Sequence, residues 1–392
     1  MWPSWRFPEM SGHRDGRVSH RQTRASPVTV TGAGPLALEA WQFVRQMLDD
    51  LTKSVEADAE TELELLEGIR VLARATALGS ELSLDIDPEA PWFFSMNTQA
   101  RLIGGPAPDG EYFLAMIDGR HRYRVRGRRG TTAYLGFQVL AGVGLTPRRM
   151  AAYVSDRDLS LADDGSFTLV LATEKPSAAE LAGDPWVPIP ADSSAILVRE
   201  YIADRATEIP AELAVEALDP AAAPPAPTDE GLAEQLTGMG WTIAKLTTLH
   251  QTIKPELLDR PNRLVTSEAA ELGAADTTPD NLYMIGTFRL EPDQALVLDL
   301  EPPDSRYWSV TLENIWHECI DPHRRRSSLT NAGAVTDREG KARIVIAATD
   351  PGVDNWLDTG GRHRGFVTVR WLDNPDAPPV TTRVLPLAEV GV

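Results

Sequence analysis

The chain has 392 residues, 42% hydrophobic and 24% charged, a composition that excludes disorder over most of its length and has room for two cores. Its 57 acidic and 38 basic side chains leave a formal net charge of −19, which counts against nucleic acid and anionic membrane surfaces as partners. A single cysteine, Cys319, excludes an intramolecular disulfide and a multi-thiolate metal centre.

Residues 1–30 carry Arg6, Arg14, Arg17, Arg21 and Arg24 without an apolar stretch, so they read as a disordered basic tail rather than a secretory leader. A cytoplasmic location follows by default. Residues 31–90 read as helical, with Leu38, Trp41, Val44, Leu48 and Leu51 on one face and Leu63, Leu66, Ile69 and Leu72 on a second. Between them Glu56, Asp58, Glu60, Glu62 and Glu64 form an acidic run, expected to be a solvated helix start favoured by the macrodipole rather than a cation site.

Residues 91–218 change to short runs bounded by Gly, Pro and Asp, the pattern of a first β-sandwich. Candidate strands are Tyr112–Ile117, Arg122–Val125, Tyr134–Leu140, Phe167–Leu171 and Ile196–Tyr201. Residues 219–262 hold a linker at Pro220–Pro227 and a helix carrying Leu232, Leu236, Ile243, Leu246, Leu249 and Ile253. Residues 263–392 return to strand grammar as a second sandwich. Arg120, Arg122, Arg124 and Arg126 alternate along a strand, and an acid-paired outer face is favoured over an anion-binding strip.

The two β segments repeat one another. Pro108-Asp109-Gly-Glu-Tyr112 parallels Pro279-Asp280-Asn-Leu-Tyr283, and Asp164-Gly165 through Leu171 parallels Glu339-Gly340 through Ile346. Trp186 and Trp356 follow, and then Arg199 and Arg370, each beside an aromatic residue. The expected fold is therefore mainly β: two related sandwich or jelly-roll-like units from an internal duplication, with helices at the N-terminus and between the units. A buried arginine needs a carboxylate or carbonyl partner, and its recurrence in both units favours a structural role for the Arg199/Arg370 pair.

Arg306-Tyr-Trp-Ser-Val-Thr-Leu312, Ser328-Leu-Thr-Asn331 and Asp350-Pro-Gly-Val-Asp-Asn-Trp-Leu-Asp358 through Val369-Arg370-Trp371 carry a resemblance. The C-terminal half resembles the bacterial domain-of-unknown-function family 1214. The first half is similar to the region preceding that domain, from Ile117-Asp-Gly119 through Gly127-Arg-Arg-Gly130. The resemblance implies a β-sandwich and brings no activity, cofactor or catalytic residue.

Candidate chemistry gathers in the second unit. His317 and Glu318, in Trp316-His-Glu-Cys-Ile-Asp-Pro-His323, are candidate acid–base groups. The string lacks the second histidine one helical turn on that a zinc helix needs, and Pro322 opposes such a helix. Arg324, Arg325 and Arg326 beside Ser327 and Ser328 read as a basic loop or an anion clamp. Asp350-Pro351-Gly352 is a turn leading to Asn355 and Trp356. The leading expectation is binding of, or action on, a small polar or anionic organic molecule at loops using Arg326, Ser328, Asn331, Asn355, Trp356 and Arg370. The alternatives are a hydrolase or lyase using His317 and Glu318, with or without a metal, and a structural or assembly protein. No cofactor is named by the sequence, no metal site is assigned, and a homo-oligomer is compatible with it.

Overall fold

A computed structural model of the protein describes residues 35–84, 86–142, 148–219, 226–252, 255–267, 277–374 and 380–391. The basic tail and most of the Pro220–Pro227 linker lie outside the described residues.

Helices α1 (Leu36–Asp58) and α2 (Glu62–Glu81) come first. Thr61 caps α2, its hydroxyl accepting the Glu64 amide at 3.2 Å. Nine strands follow: β1 (Phe94–Ser95), β2 (Gly110–Met116), β3 (Tyr123–Arg128), β4 (Tyr134–Ala141), β5 (Arg149–Ser155), β6 (Ser166–Ala172), β7 (Trp186–Pro188), β8 (Ser193–Tyr201) and β9 (Glu212–Ala217). The short α3 (Ala178–Leu181) lies between β6 and β7, and α4 (Asp229–Thr247) and α5 (Pro255–Asp259) connect to the second unit. That unit comprises β10 (Arg263–Ser267), β11 (Asn281–Arg289), β12 (Gln294–Leu300), β13 (Trp308–Glu313), β14 (Ser328–Thr330), β15 (Ala342–Ala347), β16 (Trp356–Asp358), β17 (Arg364–Leu372) and β18 (Thr381–Pro386).

The duplication is explicit in the topology. One unit has sheets ordered β1-β2-β8-β4-β5 and β7-β6-β3-β9; the other has β10-β11-β17-β13-β14 and β16-β15-β12-β18. Adding nine to every label of the first unit yields the second, including the lone parallel pairings β6·β7 and β15·β16. The tryptophans match as well: Trp186 Nε1 donates to the Ala172 carbonyl and Trp356 Nε1 to the Ala347 carbonyl, both at 3.1 Å.

Each unit is a two-layer sandwich. Inward-facing Phe137, Val139, Ile196 and Val198 of one sheet meet Tyr123, Val125, Leu169 and Leu171 of the other. In the second unit Val310, Val367, Val369 and Trp371 meet Leu296, Leu298, Ile344 and Ile346. β9, Glu-Leu-Ala-Val-Glu-Ala, has helix-favouring residues yet forms a strand, because it completes the ladder beside β3 and lays Leu213 and Val215 onto the core.

The five-stranded sheets also bury their other faces, where the two sandwiches and the helices meet. Tyr201 stacks on Tyr307 of the second unit with ring centroids 4.7 Å apart and planes 6° apart, and on Tyr134 at 5.3 Å. The loop after β13 drives Trp316 into the core formed by α1, α2 and α4, among Val55, Val71, Ala75 and Ile243. The Trp316 indole donates to the Glu64 carbonyl at 2.9 Å, and its ring lies over Gly68, where a Cβ would stand 2.8 Å from it.

Trp316→Ala should therefore lower unfolding free energy by about 3–5 kcal/mol, and Gly68→Ala by about 1–3 kcal/mol through overpacking of the same contact. Urea denaturation of the two variants beside the parent measures both; an unchanged midpoint for Trp316→Ala would contradict this packing.

Candidate functional site

The face of β13 and β17 that points away from the sandwich core is polar although it is buried. Ser309, Thr311 and Glu313 project from β13, and Thr368 and Arg370 from β17, each less than 9% exposed. The register sets Ser309 opposite Arg370 and Thr311 opposite Thr368. Over this face lies the segment 103–109 of the first unit, joined to the second by the bridge Ile103–Glu318 and by the Gly105 amide donating to the His317 carbonyl at 2.9 Å.

Arg370 and Arg199 are related by the duplication, since Tyr283 pairs with Arg370 as Tyr112 pairs with Arg199. Each guanidinium crosses to the other unit. Arg370 donates to the Gly105 carbonyl at 2.7 Å and Arg199 to the Thr277 carbonyl at 2.9 Å. Both are carbonyl partnerships, the structural arrangement expected from the repeat. Arg370 also reaches the Thr311 hydroxyl at 3.3 Å and lies over the Tyr283 ring at 5.9 Å.

The two arginines are 3% and 5% exposed, and among the described residues neither has a carboxylate within ion-pair distance. Burial alone would push the Tyr283 hydroxyl up, but the Arg370 and Arg199 charges outweigh it and leave this hydroxyl more acidic than an ordinary tyrosine. Burial raises the Asp109 carboxyl, which accepts from Ser328 at 2.6 Å. The pseudo-symmetric contact is Tyr153 donating to Asp280.

His317 sits at the edge of the same face. It is 6% exposed, adopts φ +55°, and stacks on Phe366 with centroids 4.0 Å apart. Its Nδ1 lies 2.7 Å from Glu313 Oε2, and its Nε2 is buried without a hydrogen-bond partner among the described residues. The expected pairing of His317 with Glu318 is therefore corrected: Glu313 is the histidine's carboxylate. Glu318 turns the other way, to Arg70 at 2.6 Å, to Arg74, and to the Asn314 amide. Positive φ at His317 breaks the alternation that would aim neighbouring side chains predictably, so the sequence string misassigns the partner. Among the described residues no group of three His, Cys, Asp or Glu side chains is arranged to hold a metal ion.

The other candidates fall in two groups. Arg370 and Ser328 belong to the buried face. Arg326 is exposed and donates to the Asp354 and Gly333 carbonyls, Arg325 pairs with Asp358 at 2.7 Å, and Arg324 faces Asp321, so the three guanidiniums do not converge. Asn355 spends its amide on the backbone of Val335 and Arg343, Asn331 bonds the backbone at Trp308 and Arg306, and Trp356 packs against the outer face of β12 and β15. Gly352, at φ +78°, closes the Asp350 turn. The arginine stripe, whose Arg124 and Arg126 lie in β3 and whose Arg120 and Arg122 precede it, is acid-paired as favoured: Arg120 with Asp118, Arg122 with Asp219 and Glu180, Arg124 with Asp184, and Arg126 with Glu216.

A scan against family models matches residues 115–205 and again 287–376 to the family described as protein of unknown function, DUF1214. A solved structure of an uncharacterised protein from Burkholderia cenocepacia is 30% identical, with TM-score 0.84, over 90% of this chain and 98% of its own. The chain belongs to this family. Both units match DUF1214, which corrects the expectation that the resemblance is confined to the C-terminal half. The VPA0106 protein from Vibrio parahaemolyticus is 12% identical with TM-score 0.48, covering 89% of this chain and 99% of its own. No curated protein matches. Among the described residues no helix is long and apolar enough to cross a membrane.

The acidic run is corrected in part: Glu56, Glu60 and Glu62 are exposed, but Glu64 is not. Glu64 is buried and chelated by Arg364 at 2.7 Å, while Glu60 receives Arg364 at 2.6 Å and Arg289 at 3.0 Å. Glu67, one turn on, is gripped by Arg362. These acids dock α2 onto the second DUF1214 copy, Glu64 and Glu67 buried in the contact and Glu60 at its exposed rim. The hydrogen bonds from Arg289, reinforced by His363 and Arg364, hold the Glu60 carboxyl at about 2. Burial raises Glu64, and Arg364 outweighs it, leaving a net lowering. Both carboxyls are thus more acidic folded than unfolded. Their contribution is complete above about pH 4.5 and is lost as pH falls toward about 2. Unfolding free energy should decline through that window, and the Glu60→Gln/Glu64→Gln double variant should show a shallower decline in chemical denaturation at stepped pH.

Proposed function

We propose that this DUF1214 protein binds a small organic anion at the buried face between its two copies, with Arg370 and Arg199 as the cationic anchors. The observation that carries this reading is the pair of guanidiniums, both more than nine-tenths buried, whose partners among the described residues are carbonyls and a hydroxyl. A charge withdrawn from water without a counter-charge is expensive, and an anionic ligand supplies one. Arginine presents five donors in a planar fork suited to a carboxylate or phosphate, and Arg370 uses two nitrogens on protein acceptors. Tyr112, Tyr201, Tyr283 and Tyr307 give the surroundings their hydroxyls and flat apolar walls. The site so proposed keeps Arg370 and Ser328 from the loop set and leaves Arg326, Asn331, Asn355 and Trp356 to the architecture of the second unit. The single, fully buried cysteine fits a reducing, cytoplasmic setting.

Thermal unfolding of the full chain against small mono- and dicarboxylates, sulfate and phosphate tests the reading. A true ligand at about a hundred times its dissociation constant adds about 2.7 kcal/mol of stability. Arg370→Gln should abolish that gain, and Arg326→Gln, at the exposed loop, should preserve it. An absence of stabilisation by every anion, or a gain that survives Arg370→Gln, overturns the assignment.

A further inference from the structure

The two copies differ at one corner of this face, and there the second copy holds an acid–base pair. Strand registers align Leu140 with Glu313, Leu197 with Thr368 and Ala195 with Phe366, because Leu140 pairs with Ala195 as Glu313 pairs with Phe366. In the first copy the corner is apolar, Leu114, Leu140, Ala195 and Leu197 packing with Leu82, Phe94 and Met96. The second copy places there a carboxylate that is 1% exposed and a histidine that is 6% exposed. Apolar packing suffices for this corner of the fold, as the first copy demonstrates, so folding alone does not call for Glu313 and His317.

The geometry orients the histidine. An ionised carboxylate only accepts hydrogen bonds, so in the tautomer that satisfies the 2.7 Å contact with Glu313 the proton sits on Nδ1. In that tautomer Nε2 is an acceptor, and among the described residues it is buried with no donor. Phe366 against the ring and φ +55° at the backbone fix its direction. Gly105 joins the pair to the arginine: its amide donates to the His317 carbonyl, its carbonyl accepts from Arg370, and a Cβ on it would stand 3.5 Å from the Glu313 carboxylate.

We infer that the ligand is a small hydroxy acid, its carboxylate taken by Arg370 and its hydroxyl donating to His317 Nε2. This rests on the anion-binding reading above and adds the second contact. Glu313 is a positioning residue, which keeps Nε2 an acceptor.

The test pairs carboxylates that differ only by a hydroxyl, lactate with propionate and 3-hydroxybutyrate with butyrate, measured calorimetrically on the full chain. At least one hydroxylated member should bind tenfold or more tighter than its partner. His317→Asn, chosen because asparagine tolerates positive φ, should erase most of that preference while leaving the plain carboxylate's affinity within about threefold. Glu313→Gln should weaken it by freeing the ring tautomer. Nitrogen-15 spectra of histidine-labelled protein give a readout apart from binding: His317 should show a protonated Nδ1 and a bare Nε2. Plain carboxylates that bind as well as hydroxylated ones, or an Nε2-protonated ring, overturn the hydroxyl contact and leave the anion site standing. Failure of all four carboxylates to bind overturns this inference, and the anion reading falls with it only if dicarboxylates, sulfate and phosphate also fail to stabilise the chain.

Discussion

Two buried arginines reaching across a pseudo-symmetric seam set the terms for the rest of this structure. Arg199 and Arg370 occupy the same register position in their copies, and each donates to a carbonyl of the other copy at 2.9 and 2.7 Å. A guanidinium held this deep needs acceptors fixed in place. Those acceptors lie on the segments leading into β2 and β11, so each copy supplies a neutral acceptor to the other copy's arginine. The sandwiches are thereby complementary halves of one assembly rather than beads on a string. The Tyr134–Tyr201–Tyr307 stack adds apolar area beside the arginines without competing for their donors.

A second constraint ties the helices to this seam. α2 carries Glu64, Glu67, Arg70 and Arg74 at helical spacing, and these meet Arg364, Arg362 and Glu318 of the second copy. Trp316 enters the helical core from the same loop that presents His317 and Glu318. The residue that anchors the helices therefore precedes, by one position, the histidine on the buried face. Movement of the helical layer would be felt at His317 through a single peptide unit, which makes the helices part of the scaffold of this face.

The duplication also shows how far one buried corner of the fold can vary. One copy has an apolar corner at Leu140, Leu197 and Ala195, while the other places Glu313, Thr368 and Phe366 at the same positions. Both versions are buried, and both sit on the same strand pairing. The sandwich tolerates either set because the strands' inward faces, with Val139, Ile196 and Val198 in one copy and Leu312, Val367 and Val369 in the other, carry the core on their own.

The sequence by itself determined the duplicated mainly-β architecture, the N-terminal helices and the equivalence of Arg199 with Arg370. Alternation, helical spacing and repeated punctuation are local or periodic signals, and they survive without knowledge of contacts. Only the tertiary structure decided what the polar residues do. Glu60 and Glu64 read as a solvated run because their arginine partners lie some three hundred positions away in the chain. Glu318 looked like the companion of His317 because it is adjacent in sequence, yet the positive φ at His317 turns the ring to Glu313. The strand Trp308–Glu313 did carry a trace of the site, since Ser309, Thr311 and Glu313 alternate with Trp308, Val310 and Leu312. Alternation of that kind ordinarily marks a wet outer face. Here the other copy covers it, and whether a polar strand face meets water or a second sandwich is set by long-range packing that no local pattern records.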